Sequence, residues 1–145
     1  MTYEEKVEWL EGYQRQAGLA REMREEMAEM KKMMEEQRAQ AVGQAGKRSW
    51  MQARQAREME LLQERRLALA AQEARMTRLG DCIEDAIDAL PSPQQRRILR
   101  LLYLGGMSQR AISAKMGFCR RHICREHREA VVALDITPEM LKECG

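Results

Sequence analysis

Cys119, His122, Cys124 and His127 stand close together near the C-terminal end of the chain, interleaved with Arg120, Arg121, Arg125 and Arg128. Thiolate and imidazole are the usual ligands of a tetrahedral zinc ion, whereas guanidinium groups grip phosphates or the guanine edge of a base pair. The two chemistries compete for the same stretch. On one helix turning about 100° per residue, the four metal-ligand types point to about 0°, 300°, 140° and 80° and do not converge on a single ion. No metal and no cofactor are therefore expected, and His122 and His127 read as phosphate-facing or solvent-exposed.

The residues just before this run supply a scaffold for the arginines. Ser108 is a natural cap for "QRAISAKM", and Gly117 stands where a tight turn between two helices needs a left-handed residue. Counted from Gln109, the residues Ile112, Met116, Phe118 and Ile123 fall on inward positions, with small Ala111 and Ser113 where two helices approach. The outward set of the last helix, running from about Arg120 to Leu134, is Arg120, Arg121, His122, Cys124, Arg125 and Arg128. This is the spacing of a helix-turn-helix whose second helix enters the major groove of double-stranded DNA.

Charge is distributed in keeping with that reading. The net charge of the whole chain is +2, yet residues 91–134 alone carry nine basic and two acidic side chains, a local excess of +7. Such segregation is the electrostatic footprint of a nucleic-acid-binding module. The four cysteines lack framework spacing, the start of the chain has no apolar signal core, and no run approaches the ~18 apolar residues of a membrane span. A reduced, cytoplasmic protein with free thiols and no membrane contact is expected. No Gly-rich phosphate loop, G-x-S-x-G elbow or H-E-x-x-H motif is present, and the acidic set Asp81, Glu84, Asp85 and Asp88 reads as a solvated or partner-contacting surface, so an enzyme is not expected.

The elements that must carry this module are helical. Charged residues make up 33% and aromatics 4%, a balance that favours long helices over a layered core. Tyr13, Gln16, Ala20, Met23, Met27, Met30, Met34, Gln37 and Ala41 recur at steps of three and four, a seam of coiled-coil type with Met33 beside it. Two glycines in "AVGQAGKRS" place a break near 43–48, after which Ser49 can cap a second helix. Its seam runs through Met59, Leu62, Arg66, Leu69, Glu73, Met76, Leu79, Ile83, Ile87 and Leu90, with Arg66 snorkelling or the seam completed by a second copy. Residues 1–90 thus read as a long antiparallel hairpin. At "ALPSPQQRR" Ser92 caps, Pro93 starts and Gln95 completes a capping box for a helix over Pro93 to Leu104, with Arg96, Arg97 and Arg100 toward solvent. The expected fold is all-α, with a helical arm over 1–90, a helix-turn-helix domain over 91–134 and a tail over 135–145.

"LPSPQQRRILRLLYLGGMSQRAISAKMGFCRRHICREHREAVVAL" resembles region 4 of sigma-70 family RNA polymerase sigma factors. The likeness lies in the Leu-Pro start, the "LRLLYLGGMSQRAIS" segment, the Met-Gly-Phe turn and the tail of Ala130, Val131 and Leu134. The layout, a helical arm before this domain, is similar to that of small phage and prophage sigma-like transcriptional regulators. The resemblance implies a promoter-binding module, with Ser108, Gln109 and Arg110 near phosphates and Arg120, Arg121, Cys124 and Arg125 facing bases. It also implies an arm that dimerises, forms a higher oligomer or contacts RNA polymerase. Two residues depart from the family pattern: Cys119 stands where a Ser or Thr cap is usual, and Glu126 on the side that normally meets the core. No segment resembles the sigma region that melts promoter DNA. The competing classes are a DNA-packaging component of small-terminase type, which would assemble as a ring, and a helical protein-interaction module.

Overall fold

The computed structural model describes residues 1–41 and 48–144, and among these the chain is all-helical with no strand. The helices are α1 (Tyr3–Ala41), α2 (Arg48–Asp88), α3 (Pro93–Leu99), α4 (Gln109–Met116), α5 (Arg120–Ala133) and α6 (Pro138–Cys144), with a π-helical turn at Arg100–Leu104. The glycine break expected near 43–48 and the capping side chain of Ser49 lie outside the described residues, and α2 is already helical at Arg48. No helix among the described residues is long and apolar enough to cross a membrane. The chain forms two compact units, one of Gly18–Ala74 and one that joins Met1–Ala17 to Arg75–Gly145.

In the Gly18–Ala74 unit the α1 seam falls where its spacing predicts. Ala20 is fully buried, Met23, Met27, Met30 and Met34 are half-buried, and Met33 beside them is 59% exposed. Along α2 the register differs. Leu62 and Leu69 are buried, but Met59 and Arg66 are exposed, and Gln72 is buried in place of Glu73, whose carboxylate pairs with Arg24 at 3.1 Å. A step from Leu69 can land on either neighbour, and a neutral amide costs less to bury than a carboxylate. Further pairings join Arg65 to Glu26 at 3.2 Å and Arg54 to the Gln37 side-chain oxygen at 2.8 Å. At this exposure each ion pair stabilises by about 0–1 kcal/mol.

The other unit is held by a core in which Leu10 of α1 meets Leu79, Ile83 and Ile87 of α2, Leu90 just after it, Leu99, Tyr103, and Val131 and Leu134 at the end of α5. α1 begins with a reciprocal capping box: Thr2 Oγ1 accepts from the Glu5 amide, and Glu5 Oε2 accepts from Thr2 N. One turn later Lys6 Nζ donates to the carbonyls of Val132 and Leu134 at 3.0 and 2.8 Å. A cation there satisfies orphan carbonyls and opposes the negative end of α5. The boundary expected at Pro91 therefore falls inside a compact unit. Pro91 does follow the end of α2, but apolar burial continues across it.

The tail over 135–145 is also part of this unit, because Ile136 and Met140 pack on the core and Cys144 is disulfide-bonded to Cys82. That bond corrects the expectation of four free thiols: Cys119 and Cys124 are free and exposed, whereas the other two meet only because α6 folds back on α2. The acidic set on α2 is likewise partly engaged. Arg100 reaches Glu84 at 2.5 Å and also pairs with Asp88, and the Glu84 hydrogen bond holds its guanidinium pKa above the ordinary value. Arg100 and Arg96, expected toward solvent, both turn back, with Arg96 donating to the Leu90 carbonyl at 2.6 Å.

Candidate functional site

The basic residues are displayed by α4 and α5, and local chemistry fixes each boundary. Ser92 caps α3, its hydroxyl accepting from the Gln95 amide at 3.3 Å. The expected single helix to Leu104 instead widens at Arg100 into the π turn, closed by a bond from the Gly105 amide to the Arg100 carbonyl at 2.8 Å. Gly106 then takes φ +68, and a side chain there would meet the Gln14 amide of α1. That amide donates to the Tyr103 and Leu104 carbonyls at 3.0 and 3.2 Å, supplying partners to groups freed at the end of the turn. Ser108 Oγ accepts from the Ala111 amide at 3.1 Å, Gly117 ends α4 in the left-handed region at φ 76, and the Ser113 hydroxyl donates to the Phe118 carbonyl. Cys119 occupies the cap of α5 with no side-chain hydrogen bond, as expected of a weak thiol acceptor.

Ile98 of α3, Ile112 of α4 and Ile123 of α5 are each fully buried against one another, with Leu101, Leu102, Met107 and Met116 around them. Three of the four predicted inward residues thus face this cluster. Phe118 does not: it is 39% exposed and stacks on His122 with ring centroids 4.7 Å apart. The residue after a left-handed glycine starts the next helix's approach, and here its ring folds outward over the first turn of α5. Glu126, the departure on the core side, is half-buried and accepts from Gln95 Nε2 at 3.1 Å.

The candidate site residues divide into three groups. Ser108, Arg110, Arg120 and Arg121 are exposed, and among the described residues none of them forms an ion pair. Arg125 is exposed and donates to His122 Nδ1 at 3.0 Å, while His122 Nε2 lies 3.2 Å from the Gln94 side-chain oxygen. Gln109, Cys124 and Arg128 are drawn into internal contacts. The Cys124 thiol donates to Gln109 Oε1 at 2.8 Å, Gln109 lines a cleft of about 320 Å³ shared with Val7 and Gln14, and the Arg128 guanidinium lies 5.3 Å from the centre of the Tyr3 ring.

His127 corrects the expectation of a phosphate-facing or solvent-exposed histidine. It is 7% exposed and shares a 2.6 Å hydrogen bond with the Tyr103 hydroxyl. Burial pushes the imidazole below its ordinary value and the phenol above its own, so both are held neutral. The sequence carried a weak signal for this: His127 lies four residues after Ile123 and three before Ala130, on the buried face. Cys124 and His127 thus serve separate contacts, and among the described residues no group of three or more His, Cys, Asp or Glu side chains is placed to hold a metal ion.

The buried histidine makes stability depend on pH. Below the ordinary histidine value of 6.5 the unfolded chain binds a proton that the folded unit refuses, so stability is intact above that value and falls as the pH drops through it. Urea midpoints are expected to fall between about pH 7.5 and about pH 5, and His127→Gln is expected to flatten that dependence. An unchanged slope in the variant would assign it elsewhere.

No family model, no curated protein and no solved structure matches the chain.

Proposed function

We propose that the chain is a sequence-specific DNA-binding transcription regulator of phage or prophage type, in which α4 and α5 act as a helix-turn-helix and α5 docks in the major groove. One observation carries the reading: Arg120, Arg121 and Arg125 are exposed on the first half of a helix that a buried isoleucine cluster fixes against its partner helix. A reading helix presents its N-terminal residues to base edges in this way, and Arg matches guanine O6 and N7 bidentately. Ser108 and Arg110 lie at the start of α4, where phosphate contacts would set the register. Cys124, Gln109 and Arg128 would have to leave their internal partners to take part, so they are the weaker members of the set. The Gly18–Ala74 unit is the proposed arm for self-association or contact with RNA polymerase. Its pairings run in opposite senses along α1 and α2, which supports an antiparallel hairpin, and its half-buried methionines suit an adaptable packing face.

In a gel-shift titration on a duplex selected from a random pool, Arg120→Ala and Arg125→Ala are each expected to weaken specific binding by about 1–3 kcal/mol. Wild-type affinity is expected to fall steeply with salt as counterions are released. Unchanged specific binding in both variants would remove α5 as the reading helix.

A further inference from the structure

We infer that His122 is a positioning residue that, held by Gln94 and Phe118, fixes the guanidinium of Arg125 in one orientation on the outward face of α5. The inference rests on reading α5 as the DNA-reading helix, and it adds a role for two residues, Gln94 and Phe118, outside that helix.

The geometry constrains the imidazole from three sides. Arg125 Nη2 lies 3.0 Å from Nδ1. A guanidinium has only donors, so Nδ1 must accept and carries no proton. The ring proton then sits on Nε2, which donates to the Gln94 side-chain oxygen at 3.2 Å. The Phe118 ring covers a face of the imidazole, 4.7 Å away and inclined by 36°. The three partners come from three elements: Gln94 from α3, Phe118 from the turn after α4, and Arg125 from the next turn of α5. Each of those elements contributes to, or is pinned beside, the Ile98, Ile112 and Ile123 cluster, so the imidazole is referenced to a rigid base.

The consequence falls on recognition rather than on charge. Arginine's side chain is rotamer-rich, and bidentate pairing with a base edge demands one orientation of its planar fork. A guanidinium held in place before the duplex arrives loses less freedom on binding. Phosphate attraction needs no such orientation, because it acts on the charge alone.

A duplex selected from a random pool and a scrambled duplex separate these effects. His122→Ala is expected to reduce the ratio of specific to scrambled affinity about tenfold, within the roughly 5- to 150-fold range of one bidentate contact, with a much smaller loss on the scrambled duplex than on the selected one. His122→Asn, whose side-chain oxygen replaces the Nδ1 acceptor, is expected to restore most of the ratio. Gln94→Ala is expected to lower it without touching any arginine. In an Arg125→Ala background, His122→Ala is expected to have no further effect. Equal loss on both duplexes, or additive losses in the double variant, would overturn the positioning role. Nitrogen NMR of the DNA-free protein tests the same role independently of DNA binding. It should show His122 protonated at Nε2 and hydrogen-bonded Arg125 Nη protons, and an Nδ1–H tautomer would sink the inference. A wild-type protein that binds no duplex would defeat the proposed function, and the NMR result would then decide the positioning by itself.

Discussion

A fragment beginning at Arg75 is expected to be unfolded on its own and to fold when a peptide spanning Met1–Ala17 is added. Leu10 is fully buried in the core of that unit, and Tyr3, Val7, Trp9 and Tyr13 pack against it. At about 1.5–3 kcal/mol for a fully buried large apolar side chain, and less for each half-buried one, their removal costs on the order of 5 kcal/mol or more. That matches the whole stability of many small domains. The Lys6 bonds to the last carbonyls of α5 and the Gln14 bonds to the π turn are lost as well. Circular dichroism and amide NMR of the fragment, with and without the peptide, measure this directly. A cooperative thermal transition in the fragment alone would show that α1 is dispensable to it.

Ile123→Ala is expected to destabilise the same unit by about 2–5 kcal/mol in urea denaturation. Ile98, Ile112 and Ile123 are the fully buried members of their cluster, so no neighbouring buried side chain can take over the lost contacts. Met107 and Met116 border the site and are flexible enough to fill part of the cavity, which favours the lower half of that range. Phe118→Ala should cost less despite the larger truncation, because its ring is 39% exposed and rests on His122 rather than in the cluster. If Phe118→Ala proved the more destabilising of the two, the ring would have to be part of the core after all.

That contrast marks where sequence reading succeeds in this chain. Ser92, Ser108, Gly117 and the unbonded Cys119 cap were legible because each depends on a few neighbouring residues and on backbone geometry that few side chains satisfy. The methionine seam of α1 was legible because its period is regular. Along α2 the buried position lies one residue from the regular spacing, at Gln72, where adjacent positions are almost equally placed and desolvation decides between them. What was not legible depends on distant partners. The shielding of His127 depends on Tyr103, the bonding of Cys82 on the return of α6, and the docking of Lys6 on where α5 ends. The outward arginines were placed from helical phase alone, but phase did not disclose that Arg128 lies over Tyr3 or that Cys124 bonds Gln109.

The contact between Lys6 and Val132 spans 126 residues of chain. During synthesis at roughly 5–20 residues per second, the first turns of α1 would therefore wait roughly 6–25 s before the carbonyls they cap exist. Through that interval the core that Leu10, Trp9 and Tyr13 join lacks its Ala130, Val131 and Leu134 members. The unit that displays the arginines is thus completed only when a segment made 126 residues earlier meets the end of α5.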